Sequence, residues 1–152
     1  MNTSPKNFEE QSLKLLKENG ARITQPRKLV ISCLANSPKP LSAKEVYEQI
    51  SKDSSASKID QVSVYRILET LAELELVHQV FPSGGYMACF HSQCGSTLHV
   101  LIRCTSCESI KELDVPQETV APMVSYLKNE QGFTPDDHVF QMNGLCSNCQ
   151  EK

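Results

Sequence analysis

Two Cys-x-x-Cys pairs constrain the fold of this chain more than any other feature of its sequence. The first pair is Cys104 and Cys107, and the second is Cys146 and Cys149, far along the chain. Each pair fits a turn that points two thiolates at one centre, and four thiolates complete the tetrahedral shell of a structural zinc ion. The spacing therefore predicts a zinc site that ties the carboxyl-terminal tail to the middle of the chain.

Two other interpretations of these cysteines are less favourable. Disulfides require an oxidising compartment, but the amino terminus has no apolar segment followed by a small-residue cleavage site, so we expect a reducing, cytoplasmic location. A redox-active pair opens a helix after a strand, and the sequence predicts neither pair in that position. The total of seven cysteines is odd. Metal binding is therefore the expected role of the two pairs.

Length and composition exclude several classes of protein. The chain has 152 residues, of which 39% are hydrophobic and 22% charged, a balance typical of globular domains. This length accommodates one ordinary domain or two small ones. No apolar run is long enough to span a bilayer, so we expect no membrane partner. A membrane protein, an exported protein and a large multidomain enzyme are all excluded at this stage.

The amino-terminal half reads as four helices followed by a hairpin. Helix-start signals occur at Ser4-Pro5, at Thr24-Gln25-Pro26 and at Ser42, where Glu45 completes a capping-box pattern. A fourth helix carries an apolar stripe formed by Val64, Ile67, Leu68 and Leu71. Residues 76–90 then read as strand, tight turn and strand. Helices that end in a β-hairpin are typical of a winged helix-turn-helix domain.

The carboxyl-terminal half has a different pattern. Residues 99–103, 109–113 and 139–142 read as strands, and residues 116–130 read as a helix with a buried face of Val120, Met123, Val124 and Leu127. The predicted fold class is therefore α+β. It comprises an amino-terminal winged helix-turn-helix domain over residues 1–83 and a small α/β domain over residues 84–152.

A second group of potential metal ligands lies between the predicted wing and the central strands. Three of the four histidines of the chain fall in this window. The group consists of His78, Cys89, His91, Cys94, His99 and Glu112. Imidazole and thiolate donors outnumber the carboxylate, which favours zinc over hard cations. A histidine on a strand is usually a packing or surface residue, so the prediction depends on several donors converging.

Taken together, these residues resemble the ferric uptake regulator family of metal-responsive repressors. The resemblance covers nearly the whole chain, and its landmarks are residues 20–27 (GARITQPR), 41–47 (LSAKEVY), 62–68 (VSVYRIL) and the two Cys-x-x-Cys pairs, the second preceded by 143–145 (NGL). It implies a homodimer with an amino-terminal DNA-binding domain and a carboxyl-terminal dimerisation domain. It also implies a regulatory metal at the hinge between the two domains.

Departures from the family pattern indicate which metal is sensed. Iron and peroxide sensors carry a histidine where this chain has Pro40, and a His-rich run where it has only His99. The zinc uptake regulator branch is more similar, and the resemblance assigns regulatory zinc to His78, Cys89, His99 and Glu112. His91 and Cys94 are possible further ligands, and His138 is interpreted as structural. The resemblance thus implies a zinc-dependent repressor of zinc-uptake genes, with an iron, manganese or peroxide responder as the alternative.

Double-stranded DNA is the expected partner of the front of the chain. Residues 1–44 contain eight basic and three acidic side chains, a net charge of +5, whereas residues 81–152 carry −4. Tyr65 and Arg66 lie at the start of the predicted recognition helix, where they can reach base edges in the major groove. Phosphate contacts are expected from Gln61, Ser63, Lys44 and Arg27, while the resemblance places Arg22 in the minor groove.

Two further classes remain as alternatives. A zinc-dependent hydrolase needs an open metal position, which a shell of four thiolates does not provide, and the His-x-Glu motif of a deaminase is absent. A zinc-ribbon adaptor that binds no DNA would use the cysteines alone. We therefore expect a regulator and not an enzyme.

Overall fold

The chain forms two compact units in a computed structural model that describes residues 4–53, 59–90, 98–135 and 139–151. Unit 1 comprises Met1–Ser92 and unit 2 comprises Gln93–Lys152. The division predicted from the sequence, after residue 83, falls inside a hairpin whose second strand pairs with the first. The whole hairpin therefore belongs to unit 1.

Unit 1 begins with four helices, each of which starts at a residue that accepts a backbone hydrogen bond. They are α1 (Pro5–Glu18), α2 (Gln25–Ala35), α3 (Ala43–Lys52) and α4 (Gln61–Glu73). The capping side chains are those of Ser4, Thr24, Ser42 and Asp60. Each satisfies one of the backbone N–H groups that the first turn of a helix leaves without a partner. The first three caps were predicted from the sequence.

The hairpin after α4 is short and hydrogen-bonded to the segment before α3. Strands β1 (Val77–Val80) and β2 (Gly85–Ala88) are antiparallel. The N–H of Leu41 donates to the carbonyl of Tyr86 at 2.9 Å, and the N–H of Tyr86 donates to the carbonyl of Leu41 at 2.7 Å. A Cβ atom at Gly85 would lie 3.0 Å from that of Pro40, so a larger residue would require Pro40 to shift.

One apolar core is shared by the four helices and the hairpin of unit 1. The predicted stripe on α4 is confirmed, since Val64, Leu68 and Leu71 are fully buried and Ile67 nearly so. The other helices and the hairpin contribute side chains to the same cluster, including Leu16, Val30, Val46 and Val77. Burial of each such side chain stabilises the fold by about 1.5–3 kcal/mol relative to exposure. Four helices and a β-hairpin around one core form a winged helix-turn-helix domain.

Unit 2 is built around a three-stranded sheet. Its elements are β3 (His99–Cys104), β4 (Ile110–Asp114), α5 (Gln117–Gln131), β5 (Val139–Gly144) and the single turn α6 (Ser147–Gln150). The strand order is β4-β3-β5, with β4 antiparallel and β5 parallel to the central strand. The α+β class predicted from the sequence is confirmed. Within the described ranges, no helix has the length and apolar character needed to cross a bilayer.

The predicted buried face of α5 is only partly buried. Val120 is buried, but Met123 is 42% exposed, and Val124 and Leu127 are half-buried. The prediction was therefore wrong for Met123, because a small unit with one three-stranded sheet covers only part of the apolar stripe. Other exposed apolar side chains in unit 2 are Ile102, Leu113, Tyr126, Phe133, Met142 and Leu145.

The capping box of α3 gives a stability prediction. The Ser42 hydroxyl accepts from the N–H of Glu45 at 3.2 Å, and the Glu45 carboxylate accepts from the N–H of Ser42 at 2.8 Å. Ser42→Ala removes the hydroxyl that accepts from the N–H of Glu45 and donates to its carboxylate, but it keeps the backbone N–H of residue 42. The variant is therefore expected to lower the free energy of unfolding by about 1 kcal/mol at neutral pH. Urea denaturation followed by circular dichroism measures this change.

The same cap gives the sign of a pH dependence. Hydrogen bonds from the Ser42 backbone N–H and then its hydroxyl lower the pKa of Glu45. Its stabilising contribution is present above the usual glutamate pKa and disappears as pH falls through the lowered value, so the Ser42→Ala difference should shrink in acid. Ser51→Ala, an exposed change in the last turn of α3, is the control and should stay within about 0.5 kcal/mol. Equal losses for the two variants would contradict the assignment.

Candidate metal site and nucleic-acid interface

The four cysteines of the two Cys-x-x-Cys pairs converge within unit 2. Cys104 is the last residue of β3, and Cys107 lies in the turn before β4. Cys146 follows β5 and caps α6, which contains Cys149. Their four sulfur atoms all lie within 4.8 Å of one another, and none forms a disulfide. This cluster has the composition of a closed structural zinc site.

Backbone and hydroxyl donors around the cluster already favour thiolates at two of its members. Hydrogen bonds from the backbone N–H groups of Cys107 and Cys146 lower the pKa of Cys104 to about 6. The Ser109 hydroxyl, 3.1 Å from the sulfur of Cys107, lowers the pKa of that thiol. Because metal ligation requires the thiolate, part of the cost of deprotonation is met by the local structure.

The fourth thiol behaves differently, and its position corrects one expectation. A hydrogen bond with Ser106 lowers the pKa of Cys149, but the contact with Cys146 and burial outweigh it and raise the pKa to about 11. The sequence predicted that neither pair opens a helix after a strand, whereas Cys146 occupies the N-cap position of α6, two residues after the end of β5. The helix is only one turn, which is why the sequence shows no helical periodicity there.

Two donors of the second predicted group lie together in unit 1. His78 is on β1, and Cys89 directly follows β2 and extends the hairpin with an N–H bond to the carbonyl of Leu76 at 2.9 Å. Their side chains are only 4% and 3% exposed, and their ligand atoms lie within 4.8 Å of each other. A buried imidazole beside a buried thiol is a suitable half-shell for a borderline metal ion such as zinc.

Two more donors of that group lie together in unit 2. His99 on β3 is fully buried, and its Nδ1 atom is 2.5 Å from the Oε1 atom of Glu112 on β4. The pairing orients the imidazole ring, as a carboxylate partner commonly does for a histidine that binds metal. His91, Cys94 and His138, the other histidine and cysteine predictions, lie outside the described residues.

The predicted recognition helix α4 exposes several of its side chains. Tyr65 is 47% exposed and Arg66 and Gln61 are also exposed, so Tyr65 is not part of the apolar core. Ser63 has a contact that its predicted role as a phosphate ligand did not include. Its hydroxyl donates to the carboxylate of Asp60 at 2.8 Å, and its N–H donates to the other oxygen of that carboxylate at 2.8 Å. The hydroxyl is thus part of the helix cap.

Of the cations predicted to contact DNA outside α4, two are exposed and one is half-buried. Lys44 is exposed on α3 and forms a surface ion pair with Glu48 at 3.8 Å. Arg22 is exposed in the loop between α1 and α2. Arg27 is half-buried, and its guanidinium donates to the backbone carbonyl of Arg22 at 2.5 Å. Arg27 therefore has a structural contact that its predicted role as a phosphate ligand did not include.

Two residues near α4 were missed by the sequence analysis. Asp60 caps the helix, and the Asp-x-x-Ser pattern from residue 60 to residue 63 was the available signal. Tyr86 on β2 lies near α4, since burial first, and then the charges of Glu69 and Tyr65, raise the pKa of its phenol. No local sequence pattern relates Tyr86 to α4, because the proximity arises from the packing of the wing.

The fold and these sites together define a class of protein. A winged helix-turn-helix unit with exposed Tyr65 and Arg66 on its fourth helix occurs in one chain with a four-cysteine cluster suited to a metal ion. This is the combination that a metal-dependent transcriptional regulator requires. The model of the ferric uptake regulator family matches residues 18–143. The chain therefore belongs to the ferric uptake regulator family, whose members are metal-responsive transcriptional regulators that act as dimers and are not enzymes.

Individual relatives agree with this assignment. The chain is 30% identical to a ferric uptake regulation protein of Staphylococcus epidermidis, over 93% of this chain and 95% of that protein. It is 27% identical to the peroxide-responsive repressor PerR of Staphylococcus saprophyticus, over 94% and 92%.

Solved structures share the fold. A zinc uptake regulator complexed with zinc and DNA has a TM-score of 0.79 at 24% identity, covering 99% of this chain and 97% of that one. The ferric uptake regulator of Helicobacter pylori, described as having three functional metal-binding sites, has a TM-score of 0.62 at 26% identity, covering 98% and 95%.

Removal of one thiolate tests the four-cysteine site. Cys104→Ser is expected to release one metal ion per chain and to unfold the sheet of unit 2, because metal binding at such a site contributes directly to folding. Metal analysis and amide hydrogen exchange of β5 measure the two effects. The control is Cys33→Ser, a half-buried cysteine of unit 1 outside both donor groups. Full metal content with a protected β5 in Cys104→Ser would contradict the assignment.

Proposed function

We propose that this protein is a zinc-dependent repressor that binds operator DNA as a homodimer in the cytoplasm and controls zinc-uptake genes. The observation that carries the proposal is the chemistry of three buried donors, His78, Cys89 and His99, together with the half-buried Glu112. Two imidazoles, one thiol and one carboxylate are a mixed set that suits tetrahedral zinc.

The fit of zinc to these donors rests on their type and burial. A buried thiol favours a borderline ion over harder Mn²⁺ or Mg²⁺, and three of the four donors are almost inaccessible to solvent. The four cysteines would hold a second, structural zinc ion, whose closed shell leaves no position for a substrate.

The position of two of these donors in the fold suggests how a bound ion would regulate DNA binding. His78 and Cys89 are parts of the wing hairpin, and β2 of that hairpin is hydrogen-bonded at Tyr86 to Leu41, just before α3. Ordering of the hairpin by a bound ion would therefore stabilise the domain in the form that binds DNA. Such an effector works by its differential affinity for the competent state, and typical couplings change operator affinity by about 5–150-fold.

DNA recognition is proposed for α4 and for the surrounding cations. The exposed Arg66 is suited to a bidentate contact with guanine, and Tyr65 to a thymine methyl group or a phosphate. Gln61, Lys44 and Arg22 are exposed and available to phosphates or grooves. Because these contacts are largely ionic, affinity should fall steeply with salt concentration.

The homodimer is supported by the apolar surface of unit 2. Ile102 and Met142 are neighbours across β3 and β5 and are 37% and 64% exposed, and Leu113 and Leu145 are 39% and 50% exposed. Apolar residues grouped in this way on a small unit are typical of a protein interface. A second copy of the chain is the partner that the family assignment provides.

The second candidate function is also a repressor that binds DNA in response to a signal, but the signal is not zinc. The relatives named above are a ferric uptake regulation protein and a peroxide-responsive repressor, so an iron, manganese or peroxide response is the alternative to zinc. It differs from the zinc proposal in the metal that activates DNA binding.

Metal selectivity separates the two candidates. The test uses duplex DNA that the protein itself selects from a random-sequence pool. The protein should bind this DNA tightly at the buffered concentrations of free zinc at which the regulatory site, and not only the four-cysteine site, is occupied. Iron or manganese at matched occupancy should stimulate binding less, because the thiol of Cys89 favours the softer ion. Fluorescence anisotropy measures the affinities. Full activation by iron or manganese, with none by zinc, would replace the zinc proposal by the alternative.

Cys89→Ala tests the regulatory site itself. The variant should lose zinc-stimulated DNA binding, because one of the four proposed donors is removed, while it retains the four-cysteine ion and the dimer. Anisotropy titrations, metal analysis and sedimentation measure these properties. Cys33→Ala is the matched control, since it also removes a thiol from unit 1 and should respond to zinc like the wild type. A normal zinc response in Cys89→Ala would exclude this residue from the sensor.

A further inference from the structure

The loop between α1 and α2 is held at both of its ends. Gly20 has a φ of +73° and ends α1, and the N–H of Ala21 donates to the carbonyl of Leu16 at 2.8 Å. At the other end, the Thr24 hydroxyl accepts from the N–H of Arg27 at 3.5 Å as the cap of α2. These bonds fix where the loop begins and ends but leave its centre to other contacts.

One side-chain hydrogen bond joins the centre of the loop to α2. The Nη1 atom of Arg27 donates to the backbone carbonyl of Arg22 at 2.5 Å. On either side of Arg22, Ala21 and Ile23 pack against the core of unit 1, whereas Arg22 itself is exposed. The guanidinium of Arg27 therefore holds the peptide group from which the exposed side chain of Arg22 projects.

We infer that Arg27 is a positioning residue for Arg22 in DNA binding. The inference rests on the proposed function, in which Arg22 contacts DNA. A loop backbone that is ordered before binding loses less conformational entropy when its side chain engages the DNA. A charge-assisted bond from a planar guanidinium also sets the orientation of the carbonyl. Arg27 then contributes to affinity through Arg22 and not through a phosphate contact of its own.

A double-mutant cycle distinguishes this role from an independent phosphate contact. The variants are Arg27→Met, Arg22→Ala and the double variant, with Lys28→Met as a control that removes one positive charge from the adjacent, exposed position of α2. If the competent loop conformer falls to about one fifth of the population, Arg27→Met weakens DNA binding about fivefold. In the Arg22→Ala background the same change should have almost no further effect.

Salt dependence supplies the second readout. Each lost phosphate contact reduces the slope of log affinity against log salt by about 0.9. Under the inference, the double variant has the slope of Arg22→Ala alone, and Lys28→Met adds its own effect in either background. Additive losses for Arg22 and Arg27, each with its own reduction in slope, would overturn the inference and make Arg27 a direct phosphate ligand.

A measurement without DNA separates the inference from the proposed function. Backbone ¹⁵N relaxation of Arg22 and Ile23 should show lower order parameters in Arg27→Met than in the wild type, and no change in Lys28→Met. An equally rigid loop in Arg27→Met would overturn the inference even if every variant bound DNA. If the wild type binds no DNA at any metal concentration, the proposed function fails, and the role of Arg27 in DNA binding fails with it.

Discussion

Convergence of four cysteine thiols is the interaction on which unit 2 depends. Among the described residues of this unit, only His99, Leu101, Cys104 and Val120 are buried, which is too small a core to stabilise an independent domain of this size. The sulfur cluster joins the end of β3, the turn before β4, the end of β5 and the terminal turn α6. A metal ion held there would replace the missing apolar core and keep the carboxyl-terminal tail on the sheet.

Unit 1 has a different source of stability, and this difference suits a regulator. Its core is continuous and apolar, so burial of apolar side chains is its main source of stability. Under the proposed function, the donors on its hairpin would carry the reversible signal. His78 and Cys89 lie on the hairpin that is bonded to the segment before α3. The ion held by the four cysteines would thus stabilise unit 2, because a shell of four thiolates is closed. The ion held by the mixed set of donors would regulate DNA binding.

Local signals made much of this structure predictable. The capping box at Ser42, the apolar stripe of α4 and the Cys-x-x-Cys spacing are patterns within a few residues, and each predicted the element that the structure contains. The sequence did not predict which hydrogen-bond partner a polar side chain selects, or which apolar side chains the fold can cover. The Ser63 hydroxyl bonds to a cap, Arg27 bonds to a carbonyl, and Met123 remains exposed because the small unit cannot cover it. Residue type alone does not reveal which partner such groups select.

X-ray absorption at the zinc edge, with one and then two equivalents of zinc per chain, tests the central claim of two chemically distinct metal sites. The first equivalent should show four sulfur neighbours at about 2.3 Å, and the second should add nitrogen and oxygen neighbours at about 2.0–2.2 Å with a single sulfur. A second equivalent that adds no sulfur, or that binds only as a six-coordinate oxygen-rich ion, would contradict the assignment of Cys89 and its partners as the regulatory shell.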